Sequence, residues 1–207
     1  MTKIKQKIVS INNINFSNDS RIVLIAGPCA IESLDHAVNM TGLIKEICNK
    51  FKINFVYKSS FDKANRSSIK SERGVGLEKS LNIFQELKKI HKCSIITDVH
   101  EASQCNIVSE YVDILQIPAF LSRQTDLLIS AANTKKAVMV KKGQFAAPWD
   151  MNNIVDKLEA TKCNKILLCE RGASFGYNTL VSDMRSIPIM QKTGYPVIFD
   201  ATHSVQQ

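Results

Sequence analysis

A chain of 207 residues with 44% hydrophobic content is long enough to bury a sizeable core, and one domain is the natural expectation because a single barrel can exceed average domain size. Its formal charge of +8, from 27 Lys and Arg against 19 Asp and Glu, suits an anionic metabolite, a nucleic acid or a membrane surface. The cations are dispersed and only 7% of residues are aromatic, which excludes the stacking and groove-tracking signature of a nucleic-acid binder, and no apolar run reaches the roughly 18 residues of a membrane span.

In chain order, the start MTKIKQKIVSINN is polar and mixed, unlike a signal peptide, and a cytoplasmic protein is expected. Within residues 1–20, KIVSINNINFS alternates apolar and polar residues around an Asn-rich centre and reads as a hairpin capping the bottom of a barrel. Seven β-rich apolar runs then appear at 22–27, 53–59, 93–99, 112–117, 136–141, 165–170 and 196–201. Between them lie helical faces at steps of three or four, such as Val38, Thr41, Ile44 and Ile47, or Leu77, Leu81, Phe84, Leu87 and Ile90. Continuously apolar runs suit parallel strands buried on both faces. The first strand leads into GPCAIES, without the spaced glycines of a dinucleotide turn, so the alternation predicts an α/β fold closed as a TIM (β/α) barrel. A barrel needs an eighth strand, and DATHSVQQ comes soon after the seventh, so the expectation over residues 1–207 is one barrel lacking its C-terminal strand and helices. Six cysteines, at 29, 48, 93, 105, 163 and 169, show no CxxC pair, so they are expected mostly as buried apolar residues and not as a disulfide scaffold.

Nearly every strand ends in polar or ionisable residues: Cys29; Lys58, Ser59 and Ser60; Asp98 and His100; Gln116; Lys141 and Lys142; Glu170 and Arg171; Asp200 and His203. Such ends share the rim where parallel barrels build their sites. The loop FDKANRSS adds Lys63, Asn65, Arg66, Ser67 and Ser68, a mixture of cations and neutral donors suited to phosphates and sugar hydroxyls. Alternation along a strand allows only one of Lys141 and Lys142 to face the site, and Lys141 is the choice, with Lys142 packing outward. Cys29 and His203 offer a thiolate and an imidazole, which suit a borderline divalent ion such as zinc, iron(II) or manganese.

IAGPCAIES, YKSSFDKANRSS, ITDVHE, QIPAFLSRQTDLL, VKKGQFAAPWDMNNIVDKL, ERGASFGYN and FDATHSVQ carry a resemblance that spans essentially the whole chain. In this order they resemble the motifs of the 3-deoxy-D-manno-octulosonate 8-phosphate synthases, β/α-barrel enzymes of lipopolysaccharide (Kdo) biosynthesis. The resemblance implies that Lys58, Lys63, Gln116, Lys141 and Arg171 surround phosphoenolpyruvate, with Ser59 also binding substrate. Asn65, Arg66 and Ser67 would hold arabinose 5-phosphate, with Asp98, His100 and Phe120 nearby, and Arg123 would reach the sugar phosphate of a neighbouring subunit in a homotetramer. Lys63, Asp98, His100 and His203 are the candidate catalytic residues. The Cys of GPCA is similar to the metal-dependent branch of the family, with Cys29 and His203 as ligands and an acidic pair expected from the eighth strand and the loop after it.

The implied chemistry joins C3 of phosphoenolpyruvate to the aldehyde carbon of arabinose 5-phosphate, adds water at C2 and releases phosphate by C–O cleavage, without a Schiff-base lysine. The nearest competitor is the heptulosonate-phosphate synthase that takes erythrose 4-phosphate. Its usual Lys-Pro-Arg-Thr loop differs from KANRSS. An inactive ligand-binding fragment and a basic nucleic-acid binder are the readings from other classes.

Overall fold

The computed structural model describes residues 4–206; residues 1–3, which begin the expected hairpin segment, and residue 207 lie outside it. Strands β1 (Val9–Ile11) and β2 (Ile14–Phe16) pair antiparallel, with Val9 opposite Phe16. Their alternate residues Val9, Ile11, Ile14 and Phe16 are all buried, as the two-residue period requires.

The chain then alternates strand and helix: β3 (Val23–Ala26), α1 (Leu34–Phe51), β4 (Asn54–Lys58), α2 (Leu77–His91), β5 (Ser94–Asp98), α3 (Ala102–Tyr111), β6 (Ile114–Ile117), α4 (Thr125–Asn133), β7 (Ala137–Lys141), α5 (Met151–Glu159) and β8 (Ile166–Glu170). Next come a small antiparallel pair, β9 (Ala173–Ser174) with β10 (Leu180–Val181), and then α6 (Ser186–Met190) and β11 (Val197–Phe199). The seven strands read from the apolar runs form one parallel sheet in the order β3-β4-β5-β6-β7-β8-β11. Every residue of β5, β6, β7 and β8 is buried, because helices cover one face and the strands' own side chains fill the other.

The helices begin and end where their sequences dictate. Ser33 caps α1 by accepting a hydrogen bond from the His36 N–H at 3.1 Å, and Glu101 and Gln104 form a reciprocal capping box on α3. On α2, Leu81, Phe84 and Leu87 are buried as the spacing predicts, whereas Ile90 and, on α1, Ile47 are exposed. Ile90 lies in the last turn of α2, whereas Ile47 sits beside buried Cys48 and therefore on the flank of α1 that turns away from the core.

The sheet is curled. β3 and β11 are its two edges, with five strands between them, yet Cys29 after β3 and His203 after β11 interact through their side chains. At the opposite, N-terminal ends of the strands, Asn12 in the β1–β2 turn donates to Ser94 Oγ at 2.9 Å and to Asp113 Oδ1 at 3.2 Å. Asn18 donates to the Tyr195 carbonyl and accepts from the Val197 N–H, each at 2.9 Å, so the segment after β2 fastens to the start of β11.

One glycine fixes how closely β3 and β4 run as they approach the site. A Cβ placed on Gly27 would lie 2.1 Å from the Lys58 carbonyl oxygen, an approach that no side-chain rotation can relieve. Gly27→Ala is therefore expected to cost about 3 kcal/mol, typical of overpacking against fixed atoms. The check is a lowered urea midpoint at unchanged m-value.

Candidate active site

The C-terminal strand ends bring together residues from all seven strands. On β5 and β6, Asp98 stands opposite Gln116 in register, so both side chains project from the same face. Gln116 Nε2 and Ser60 Oγ donate to the two oxygens of the Asp98 carboxylate, and Lys63 Nζ donates to Ser60 Oγ at 2.9 Å. Burial by itself raises the Asp98 carboxyl, but the Lys58 cation, the Ser60 hydroxyl and Lys63 outweigh it and hold the group well below the usual carboxylate range. Lys58 is lowered too, which for a cation disfavours the charged form: burial is the main cause, and neighbouring Lys63 and Lys141 add to it against the support of Asp98.

A second cluster joins β7 to β11. Lys141 Nζ lies 2.5 Å from Asp200 Oδ2, and His203 Nδ1 shares that oxygen at 2.8 Å. Burial opposes ionisation of Asp200, while His203 and Lys141 together hold it well below its ordinary range. Asp200 and then Cys29 raise the His203 imidazole. The Cys29 thiol is pulled down to about 6, first by His203 and then by Lys63 and Lys58, against the effect of desolvation. Cys29 is also the one exposed thiol among the six free cysteines; Cys48, Cys105, Cys163 and Cys169 are buried, and burial drives Cys169 up to about 12.

With Nδ1 committed to Asp200, His203 has Nε2 left for Cys29 or a ligand. A low-lying thiol beside an imidazole oriented by a carboxylate is the donor chemistry a divalent ion requires, so these two residues fit a metal as part of a shell. Among the described residues no group of three or more His, Cys, Asp or Glu side chains converges on one point.

The remaining residues singled out by sequence are spread more widely. Arg171 is buried after β8, donating from Nη2 to the His203 carbonyl at 2.9 Å, while its Nε is buried without a protein partner among the described residues. His100 packs its ring edge-on against Phe61 at 5.4 Å, its Nδ1 is likewise buried and unpartnered, and burial lowers it. Ser59 is engaged inward, donating to the Pro28 carbonyl at 2.7 Å. Asn65, Arg66 and Ser67 are exposed on the loop after β4, where Arg66 Nε reaches the Glu72 carbonyl at 3.2 Å. Phe120 and Arg123, after β6, are exposed and touch neither cluster. Lys142 turns from the mouth, as alternation requires, but it is buried and lies 3.5 Å from Glu170 Oε1.

Two carboxylate roles escaped the sequence reading of the site. Asp200 joins Lys141 to His203, and Glu170 faces Lys142; only their positions at strand ends signalled them. The serine that matters to Asp98 is Ser60, one residue beyond the predicted Ser59.

A parallel strand-and-helix sheet with cations, carboxylates, a thiol and an imidazole gathered at its C-terminal rim has the architecture of a barrel enzyme. The chain belongs to the DAHP synthetase I family, whose model matches residues 2–207. It is 60% identical over 196 residues to the 2-dehydro-3-deoxyphosphooctonate aldolase of Agrobacterium fabrum, an alignment covering 95% of this chain and 70% of that protein. Proteins of the same name from Bartonella henselae and Bartonella tribocorum are 59% and 58% identical, over 97% and 100% of this chain and 72% and 74% of theirs.

The depressed Asp98 carboxyl has a consequence for acid stability. Its contribution is present above the unfolded carboxylate value of about 3.9 and is lost as pH falls toward the lower folded value. Urea midpoints measured from pH 7 to pH 3 are expected to fall below about pH 4. Asp98→Asn should be less stable at neutral pH and show a shallower acid limb.

Proposed function

We propose that this chain carries the 2-dehydro-3-deoxyphosphooctonate aldolase activity of its relatives, condensing phosphoenolpyruvate with D-arabinose 5-phosphate and water. The observation that carries the reading is the pairing of two cation clusters, Lys58 with Lys63, and Lys141 with Arg171 about Asp200 and His203, at one rim in a chain 60% identical to such an aldolase. Lys58, Lys63, Lys141, Gln116 and Arg171 bind the carboxylate and phosphate of the enol donor, where cations also stabilise charge redistributed in the transition state. The unpartnered Arg171 Nε supports this, since a buried guanidinium N–H is costly without an acceptor. Asn65, Arg66 and Ser67 take the sugar phosphate and its hydroxyls with Phe120 nearby, and exposed Arg123 is free to serve a neighbouring subunit of a homotetramer.

In the reaction, C3 of the enol phosphate bonds to the aldehyde carbon and the aldehyde oxygen takes a proton. Water adds at C2, and phosphate leaves with the C2–O bond electrons. His203 and His100 hold or pass protons, with Asp98 keeping Lys58 and Lys63 placed. Cys29 and His203 would hold a divalent ion, zinc, iron(II) or manganese, which when bound would orient the aldehyde or the water as a Lewis acid. The fold around these groups is a TIM-barrel sheet, with the β1–β2 hairpin as its floor. Six free cysteines suit the reducing cytoplasm, and no described helix is long and apolar enough to cross a membrane.

Phosphate release from phosphoenolpyruvate plus arabinose 5-phosphate tests the activity, with erythrose 4-phosphate as the competing aldose. Lys63→Ala should lower kcat/KM by at least a hundredfold, roughly 2.7 kcal/mol of transition-state binding. Preference for erythrose 4-phosphate would overturn the assignment. For the metal, iodoacetamide should label Cys29 first in chelator-treated protein and slow at least tenfold when zinc or manganese is restored. Labelling that ignores the metal would remove Cys29 from its shell.

A further inference from the structure

Behind the mouth, on the face of the sheet opposite Lys141, lies a buried ion pair that the proposed reaction does not use. Lys141 and Cys169 are register partners on β7 and β8, so the next residues, Lys142 and Glu170, are neighbours on the other face. Their side chains are only 1% and 2% exposed and stand 3.5 Å apart. Burying both charges is costly unless other polar contacts accompany them, and the contacts present all bear on the two loops that leave these strands. Glu170 Oε1 accepts the backbone N–H groups of Arg171 at 3.0 Å and Gly172 at 2.7 Å. Lys142 Nζ donates to the carbonyls of Ala146 at 3.2 Å, Gly143 at 3.4 Å and Gly172 at 3.5 Å. The loops are also joined directly, through the Ser174 N–H and the Gln144 carbonyl at 2.9 Å.

The turn held by Glu170 contains Arg171, and Gly172 adopts φ +92°, a left-handed conformation in which the chain reverses direction. Fixing two successive N–H groups on one carboxylate oxygen fixes the path of that turn, and with it the direction in which the Arg171 side chain leaves the backbone. Arg171 then meets the His203 carbonyl through Nη2 and keeps Nε free among the described residues. We infer that Glu170 is a positioning residue, with Lys142 as its buried counter-charge: by fixing the turn after β8 it presents the Arg171 guanidinium to an anionic phosphate or carboxylate at the mouth. The inference rests on the enol-phosphate reading of that site, because it assigns Arg171 an anionic partner there.

The test separates the clamp from the charge pair. Lys142→Met with Glu170→Gln removes both charges but retains a carbonyl oxygen that can accept the two N–H groups. Lys142→Met with Glu170→Leu fills the same space without an acceptor, and apolar replacement of a buried pair is commonly tolerated in folding. Phosphoenolpyruvate binding is measured by calorimetry at a temperature where circular dichroism shows both variants folded, and KM and kcat are compared alongside. The expected result is binding within about threefold of wild type for the Gln variant and at least tenfold weaker for the Leu variant, with the change in KM exceeding that in kcat. Equal binding by the two variants overturns the positioning role, as does a Gln variant as weak as the Leu variant. Wild-type protein that binds no phosphoenolpyruvate overturns the functional reading instead. Should the Leu variant not fold, Lys142→Met with Glu170→Met takes its place under the same criteria.

Discussion

Lys58, Lys63 and Lys141 crowd one end of a curled sheet, and like charges at such range repel one another in proportion to how far water is excluded. Each stays in place because a carboxylate is set among them: Asp98 between Lys58 and the Ser60–Lys63 contact, and Asp200 between Lys141 and His203. Both carboxylates are held strongly ionised by this company, against the burial that opposes it. The rim is therefore a balanced mosaic of fixed charges, and an arriving anion meets cations already oriented before it binds. This preorganisation is what allows such groups to stabilise a transition state without rearranging.

The parallel strand is what makes the mosaic possible. Side chains on neighbouring strands come into register on one face, so Asp98 meets Gln116, and the next residue on each strand turns to the other face. The same rule that aims Lys141 at the mouth sends Lys142 behind it. The two faces thus carry different duties at nearly the same height along the strands: ligand groups on one side, and the connection between loops on the other.

Much of this was legible in the residues. The seven strands announced themselves as apolar runs because burial on both faces leaves little room for polar residues, and the polar strand ends stood out against them. The loop KANRSS and the separation of Cys29 from His203 were visible as chemistry, though only the curl of the sheet brings those two together. What the residues could not disclose was pairing. Ser60 and Ser59 are adjacent and chemically alike, and only the backbone geometry turns one toward Asp98 and the other toward Pro28. Glu170 and Asp200 looked like two more strand-end acids until their neighbours on adjacent strands were known. Lys142 was expected to face outward, and it does leave the mouth, but alternation alone does not say whether a side chain that leaves one face reaches water or meets a partner.

The fastenings at the other end of the sheet bear on how the molecule comes to be folded. Lys7 bonds its N–H to the Gly194 carbonyl and its ammonium to Glu159, and Asn18 bonds to Tyr195 and Val197. Nearly the whole chain separates these partners, so the contacts form only after β11 has been made. Until β11 is in place, the segment that carries Val9, Ile11, Ile14 and Phe16 lacks these fastenings and holds its apolar residues less securely. Contacts of such long sequence separation slow folding and leave apolar surface open to association, which makes the opening hairpin the region on which a chaperone would act longest.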